Sequence, residues 1–489
     1  MTRIRFTLAA FTLILVAGLV SAAKPAKGTY PFAVAPDKAF ATLTGLDSAS
    51  GKKLAISKDE ADLFADARDG KLDKVSFADT CLIASGVIDP EKRKAYLAKL
   101  DEIEVAARKA VDGAKTPHEK GERLLKFLHD GPMSKGYESQ QTDLHLVLDT
   151  GKFNCVSSAV VYNVIGRRLG LDLRAVEIPE HVFSILYDGD KPIDVETTNA
   201  RGFDPTDDQA SAKRVTKAQR HANNRREIGE TGLAAIIAYN HGVTLSKERR
   251  YHEAVLANFR SLALDPSNPS AAKNAVADLT NWPLKQAKAG EYESALTILA
   301  VGLQLAPTES SLKNNNKVVW AEYAAARMKA GEPVEAVAIL RRAAKAGTGE
   351  DFETRQAYLF VLPAQDLMEA GEWDEALKVI DSGLKAVDLK AQKKLRESRV
   401  GLFLRWSQVE AGKDRFEKAL AVLERGAAEE KDSRIKNNTV VVFDTWANGY
   451  MKSGKWDEAV RIYERGLKLL PGDAHLANNL AYCREQMKK

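Results

Sequence analysis

The sequence predicts a mixed α+β domain followed by an all-α repeat solenoid. Two observations carry this. In the second half a short motif recurs six times at spacings of 40–43 residues, the signature of stacked helical repeats. In the first half a cysteine at a helix start precedes strand-like alternation that carries a histidine and two carboxylates.

The chain has 489 residues, 45% hydrophobic and 28% charged, which is ordinary globular composition spread over more than one core. Its formal net charge is +5, and +3 without Arg3 and Arg5. That is too little to predict nucleic-acid binding. Residues 1–23 read as a signal peptide. Arg3 and Arg5 open it, an apolar run spans Phe6 to Val20, and Ser21-Ala22-Ala23 precede Lys24-Pro25. Export to periplasm or medium is expected, with no transmembrane span after cleavage. The three cysteines, Cys81, Cys155 and Cys483, are odd in number and widely spaced, so they make no disulfide framework. Cys81 and Cys483 read as small apolar residues within helices.

The first domain is assigned to residues 28–205. Helical spacing of Tyr96, Leu97, Leu100, Ile103 and Ala107 marks one helix, and Glu119–His129 a second, stopped by Gly131-Pro132. Asn154 is a candidate N-cap for a helix that Cys155 opens and Gly170 ends. A thiol at that position sees the positive end of the helix dipole, which favours thiolate. Strands follow at Arg174–Ile178, His181–Tyr187 and Pro192–Thr198. With Asp188-Gly189 as the two-residue turn, Asp194 lies opposite Phe183, diagonal to His181 on one strand face and within about 7–8 Å of it. Glu196 then lies directly opposite His181 and is a rival for orienting the imidazole. Taken singly, the cysteine reads as a buried helix residue and the histidine as a strand residue. Together they predict a Cys155–His181–Asp194 site. His118, His129 and His145 lack metal-ligand spacing, and no glycine-rich phosphate loop is present. Neither a metal nor a cofactor is expected.

Residues 206–230 read as a polar, basic connection containing Lys213, Arg214, Lys217, Arg225 and Arg226. The repeats then occupy 231–489. Their marker alanines are Ala254, Ala295, Ala336, Ala376, Ala419 and Ala459, and each is followed seven positions later by Ser, Gly or Ala. Small residues at both places let paired helices approach closely. In four copies a glycine, Gly290, Gly331, Gly371 or Gly454, ends the first helix of the pair, and each pair buries its apolar face only by stacking on its neighbours.

These residues resemble two known families. The repeats are similar to the tetratricopeptide repeat (TPR), with a period near 40 instead of the usual ~34. Asn154-Cys155 at a helix start, Arg167-Arg168-Leu169-Gly170-Leu171, Glu180-His181-Val182-Phe183 and Pro192-Ile193-Asp194-Val195 resemble the transglutaminase-like superfamily core. That resemblance implies a papain-like α+β fold with an antiparallel sheet, and Cys, His and Asp in that order as catalytic residues. It implies a cysteine hydrolase or acyltransferase working through a thioester, with a protein or peptide ligand in the repeat groove. The alternative is a non-catalytic scaffold that uses the repeats for protein–protein interaction.

Overall fold

The computed structural model describes residues 31–46, 56–205, 225–347 and 351–488. The expected signal peptide lies outside the described residues. Two compact units form, one from residues 1–285 and 297–312, the other from 286–296 and 313–489.

In the first unit, seven α-helices precede the sheet among the described residues: α1 (Pro36–Leu43), α2 (Lys58–Asp66), α3 (Phe77–Ala84), α4 (Pro90–Ala110), α5 (Pro117–Asp130), α6 (Leu144–Thr150) and α7 (Cys155–Arg168). Their starts follow local chemistry. Asp89 and Thr116 cap α4 and α5 just ahead of Pro90 and Pro117, where a missing N–H costs nothing. Helix α7 is the core element. Every residue from Val156 to Gly166 is buried, because α3, α4, α5, α6 and the sheet surround it; a helix apolar on all sides demands such a setting. Gly166 permits the approach, since a Cβ there would lie 2.3 Å from the Leu173 side chain.

The sheet is antiparallel, in the order β3-β2-β1-β4, from β1 (Asp172–Ile178), β2 (His181–Asp188), β3 (Lys191–Val195) and β4 (Arg226–Ile228). Strand β4 lies where a solvated connection was expected. It pairs with β1 and buries Ile228, while Arg226 bonds to Glu177 and Asp265 and Glu227 to Arg174. These ion pairs let a strongly charged segment join the sheet. Cys81 is buried in α3, as expected.

Three helices, α8 (Glu230–Lys247), α9 (Tyr251–Leu264) and α10 (Pro269–Lys288), open the repeats. Residues ahead of α1 pack onto the repeats: the Phe32 ring lies 4.7 Å from that of Phe259 on α9, and Ala33 N–H donates at 2.6 Å to the carbonyl of Leu305, the last residue of the helix after α10. Asp278 on α10 is 1% exposed, and its carboxylate accepts from Ser246 Oγ of α8 (2.6 Å) and Asn258 Nδ2 of α9 (3.1 Å). Burial pushes its pKa up to about 6. A carboxyl with a folded pKa above its unfolded value stabilises the fold below the unfolded pKa, and that stability is lost as pH rises through about 6. Asp278→Asn is therefore expected to raise the thermal midpoint at pH 7.5, by ~2–4 °C for each kcal/mol recovered. At about pH 4, near the ordinary Asp pKa, it should change little. Thermal melts at the two pH values check this.

In the second unit, long helices α12 (Ser310–Lys329), α14 (Phe352–Glu369), α16 (Leu389–Ala411) and α18 (Ser433–Lys452) alternate with shorter α13 (Pro333–Lys345), α15 (Trp373–Ala386), α17 (Phe416–Glu429) and α19 (Trp456–Leu469). Helix α11 (Tyr292–Leu305) is of the short type, and α20 (Ala474–Gln486) closes the array and buries Cys483. The long helices have 18–23 residues and their partners 13–14, so the added period lies in the first helix of each pair. Gly383, Gly426 and Gly466 face Phe360, Phe403 and Phe443, leaving less than 3.2 Å for a Cβ. The marker aromatics stack on the next repeat, Trp373 on Trp406 at 6.1 Å and Phe416 on Trp446 at 5.6 Å. Among the described residues no helix is long and apolar enough to cross a membrane.

Candidate active site

The site begins with a cap. Asn154 Oδ1 accepts from Val156 N (2.9 Å) and Ser157 N (3.1 Å), and Ser157 Oγ accepts in return from Asn154 N (3.0 Å). Asn154 Nδ2 donates to Ser139 O and to Thr142 Oγ1. This fixes the first turn of α7 and puts Cys155, half-buried, at its first helical position. The backbone N–H there is not needed by the helix, and the thiol sits at the positive end of the dipole.

His181 opens β2. Its Nε2 lies 2.8 Å from Glu196 Oε2, with the two side chains 12% and 13% exposed. The ring also interacts electrostatically with Cys155, which lines the same cleft. With Nε2 on the carboxylate, Nδ1 is the nitrogen left for sulfur. Burial works against the charged ring, but the interactions with Cys155 and Glu196 outweigh it and push the His181 pKa up to about 10. Both partners therefore favour the protonated ring. Glu196 is itself fixed, since its Oε1 accepts from Thr198 Oγ1 (2.6 Å) and Thr198 N (3.2 Å). The adjoining Thr197 is buried, receives His129 Nε2 on its carbonyl at 3.0 Å, and bonds through its hydroxyl to Ser158 of α7 at 2.9 Å.

Asp194 is placed differently. Its carboxylate accepts both terminal nitrogens of Arg225, at 2.9 and 2.5 Å, and that guanidinium lies over the Phe183 ring. The register accounts for this. The β2–β3 turn is Gly189-Asp190, with Asp188 opposite Lys191, so Asp194 lies opposite Ile185 and not Phe183 as expected. Sliding a turn by one residue moves the register by two and preserves the strand face. The residue diagonal to His181 thus becomes Glu196, the expected rival. The structure brings Cys155, His181 and Glu196 together and leaves Asp194 further along the same face.

A cleft of about 430 Å³ opens on Cys155 and His181. One wall is the β1–β2 turn, where Glu180 takes a left-handed φ of 61°. The other is built by Ile236, Tyr239 and Asn240 of α8 and Pro269-Ser270 at the start of α10. No local sequence signal marks these repeat residues as part of the site, because a packing contact distant in sequence brings them there. Among the described residues no group of three His, Cys, Asp or Glu side chains could hold a metal ion.

Comparison with known proteins defines the class. Residues 94–225 match the transglutaminase-like superfamily and residues 447–474 the tetratricopeptide repeat. The chain carries a transglutaminase-like domain joined to TPR repeats, a combination that fits protein or peptide binding. Among solved structures it is similar to a tetratricopeptide repeat protein from Parabacteroides merdae, 13% identical over 52% of this chain and 100% of that one, with a TM-score of 0.18. A thermophilic TPR protein in Thermus thermophilus is 20% identical over 51% and 98%, with a TM-score of 0.13. YrrB, a TPR protein with an unusual peptide-binding site, is 21% identical over 41% and 89%, also at 0.13. No curated protein matches the chain.

Proposed function

We propose that this chain is an exported cysteine hydrolase or acyltransferase whose repeats bind the protein or peptide it acts on. The observation that carries the reading is His181, bonded to Glu196 and lining one open cleft with Cys155 at the start of α7. Thiolate attack on an amide or ester carbonyl forms a C–S bond and moves the carbonyl electron pair onto oxygen. As the tetrahedral carbon collapses, imidazolium gives its proton to the departing amine, leaving a thioester on Cys155. Water or an amine then attacks the thioester, giving hydrolysis or transfer. Glu196 holds the ring's orientation and tautomer, as the acidic member of a triad does.

In the repeats, an apolar groove of about 1070 Å³ lined by Met328, Leu340, Leu359, Leu362 and Tyr358 supports peptide docking. Leu362 is 57% and Tyr358 42% exposed there. Export to periplasm or medium rests on Arg3, Arg5 and the apolar run that follows, and N-terminal sequencing of the mature protein tests it.

Alkylation of Cys155 by iodoacetamide at pH 6 tests the catalytic reading. An ordinary thiol, with a pKa near 8.5, is then almost wholly protonated and slow. Wild-type Cys155 is expected to react at least about tenfold faster than His181→Ala. Equal, slow rates in the two proteins would leave the scaffold role.

A further inference from the structure

We infer that Asn240, on the first repeat helix, is the second N–H donor of an oxyanion site at Cys155. The inference rests on the acyl-transfer reading above. When sulfur adds to a carbonyl, the oxygen gains a full negative charge, and preorganised N–H donors aimed at it lower the barrier. The backbone N–H of Cys155 is one such donor. Its neighbours Val156 N and Ser157 N are already taken by Asn154.

The cleft lining restricts the choice of a second. Glu177 and Glu180 accept only. Arg226 is engaged by Glu177 and Asp265. Tyr239 offers a hydroxyl, approached by Ser270 and Asn274, and neither Tyr239 nor Ser270 carries a side-chain N–H. His181 is paired with Glu196 and, in the reading above, serves the sulfur. Asn240 remains, and a carboxamide nitrogen carries two N–H groups.

One of those groups goes to Thr142 Oγ1 at 3.2 Å. The same oxygen receives Asn154 Nδ2 at 2.8 Å, and Asn154 is the residue before the nucleophile. A chain of two hydrogen bonds therefore sets the Asn240 amide beside the start of α7 and fixes its plane. The next residue strengthens the anchor, because His241 Nε2 lies 2.6 Å from Asp143 Oδ1. Helix α8 is thus pinned at two successive residues to the loop that holds the α7 cap. That rigidity is what an oxyanion donor requires. The other N–H of Asn240 is the one assigned to the substrate oxygen.

Two reagents separate the roles of Asn240 in the full chain. Iodoacetamide reacts with Cys155 by displacement at a methylene carbon, losing iodide and forming no oxyanion. With p-nitrophenyl acetate, sulfur adds to the ester carbonyl and p-nitrophenolate then leaves, so an oxyanion forms on the way to acetyl-Cys155. Cys81 and Cys483 are buried, and peptide mapping confirms the labelled residue. In Asn240→Ala the acylation burst is expected to slow about 100- to 1000-fold, with alkylation at pH 6 unchanged within about twofold. Asn240→Leu, close in shape and lacking the donor, repeats the measurement if the alanine variant folds poorly. Acylation and alkylation falling together would reduce Asn240 to a prop for the cap and overturn the inference. So would an unchanged burst, or a wild-type protein that alkylates rapidly but gives no burst. A wild-type Cys155 that fails to alkylate faster than His181→Ala overturns the acyl-transfer reading itself, and the alkylation arm identifies that case.

Discussion

Glu196→Gln is expected to slow acylation of Cys155 by p-nitrophenyl acetate by up to about 10,000-fold, the loss that follows when the acidic member of a triad becomes an amide. Asp194→Asn is expected to leave the rate within about threefold, since Glu196 holds the imidazole while the Asp194 carboxylate accepts both terminal nitrogens of Arg225. The asymmetry follows from Thr198. Its backbone N–H and hydroxyl both donate to Glu196 Oε1, while Oε2 accepts from His181 Nε2. A carboxylate can accept on both oxygens, but an amide has one acceptor and one donor end. In the glutamine variant the oxygen must face the Thr198 N–H, because an NH₂ group there would meet another donor. The NH₂ end then faces His181 and imposes the wrong tautomer. Asp194→Asn should instead show its effect in stability, about 1–3 kcal/mol for a charge-assisted pair to Arg225, read by denaturant melts. If Asp194→Asn abolished acylation and Glu196→Gln did not, the assignment of the orienting carboxylate would be reversed.

Gly202→Ala should be nearly as damaging, although Gly202 touches none of the reacting groups. A Cβ at Gly202 would lie 2.1 Å from the Glu196 carbonyl oxygen and 2.9 Å from the Glu196 Cβ. The loop between them is closed by Glu196 N–H to Gly202 O at 2.8 Å and Gly202 N–H to Asn199 O at 2.9 Å. There is no flexible side chain to move aside, so the backbone carrying Glu196 must shift. A displacement of about 1 Å in a catalytic group costs on the order of 100-fold. Overpacking adds a stability loss of about 1–3 kcal/mol. Gly189→Ala is the control. It sits at φ 63° in the β2–β3 turn with nothing near its Cβ, so it should cost about 1–2 kcal/mol of stability with no change in rate. Parallel rate losses at Gly189 and Gly202 would point to global destabilisation and sink the argument for a displaced Glu196.

Much of this architecture is legible in the residues. The repeats announce themselves because each must solve the same packing problem, and Gly383, Gly426 and Gly466 meet Phe360, Phe403 and Phe443 as that logic requires. The Asn154 cap and the strand face of His181 follow from local rules. The choice between Asp194 and Glu196 did not follow, because Asp188-Gly189 and Gly189-Asp190 are both acceptable turns. Glycine at the first central position is the signal that favours the second, and here Gly189 holds it. Strand β4 was hidden by its charges, whose partners Glu177, Asp265 and Arg174 lie 39 or more residues away. The Asn240 wall was hidden for the same reason of distance.

The wall built by α8 has a consequence for how such chains can diversify. A cut after Pro205 would remove β4 from the sheet and Ile236, Tyr239 and Asn240 from the cleft. The first repeat and the thiol therefore form one structural block. Recombination could lengthen, trim or exchange the distal repeats and so change what is captured. A crossover between Pro205 and the first repeat would separate the nucleophile from half of its own chamber.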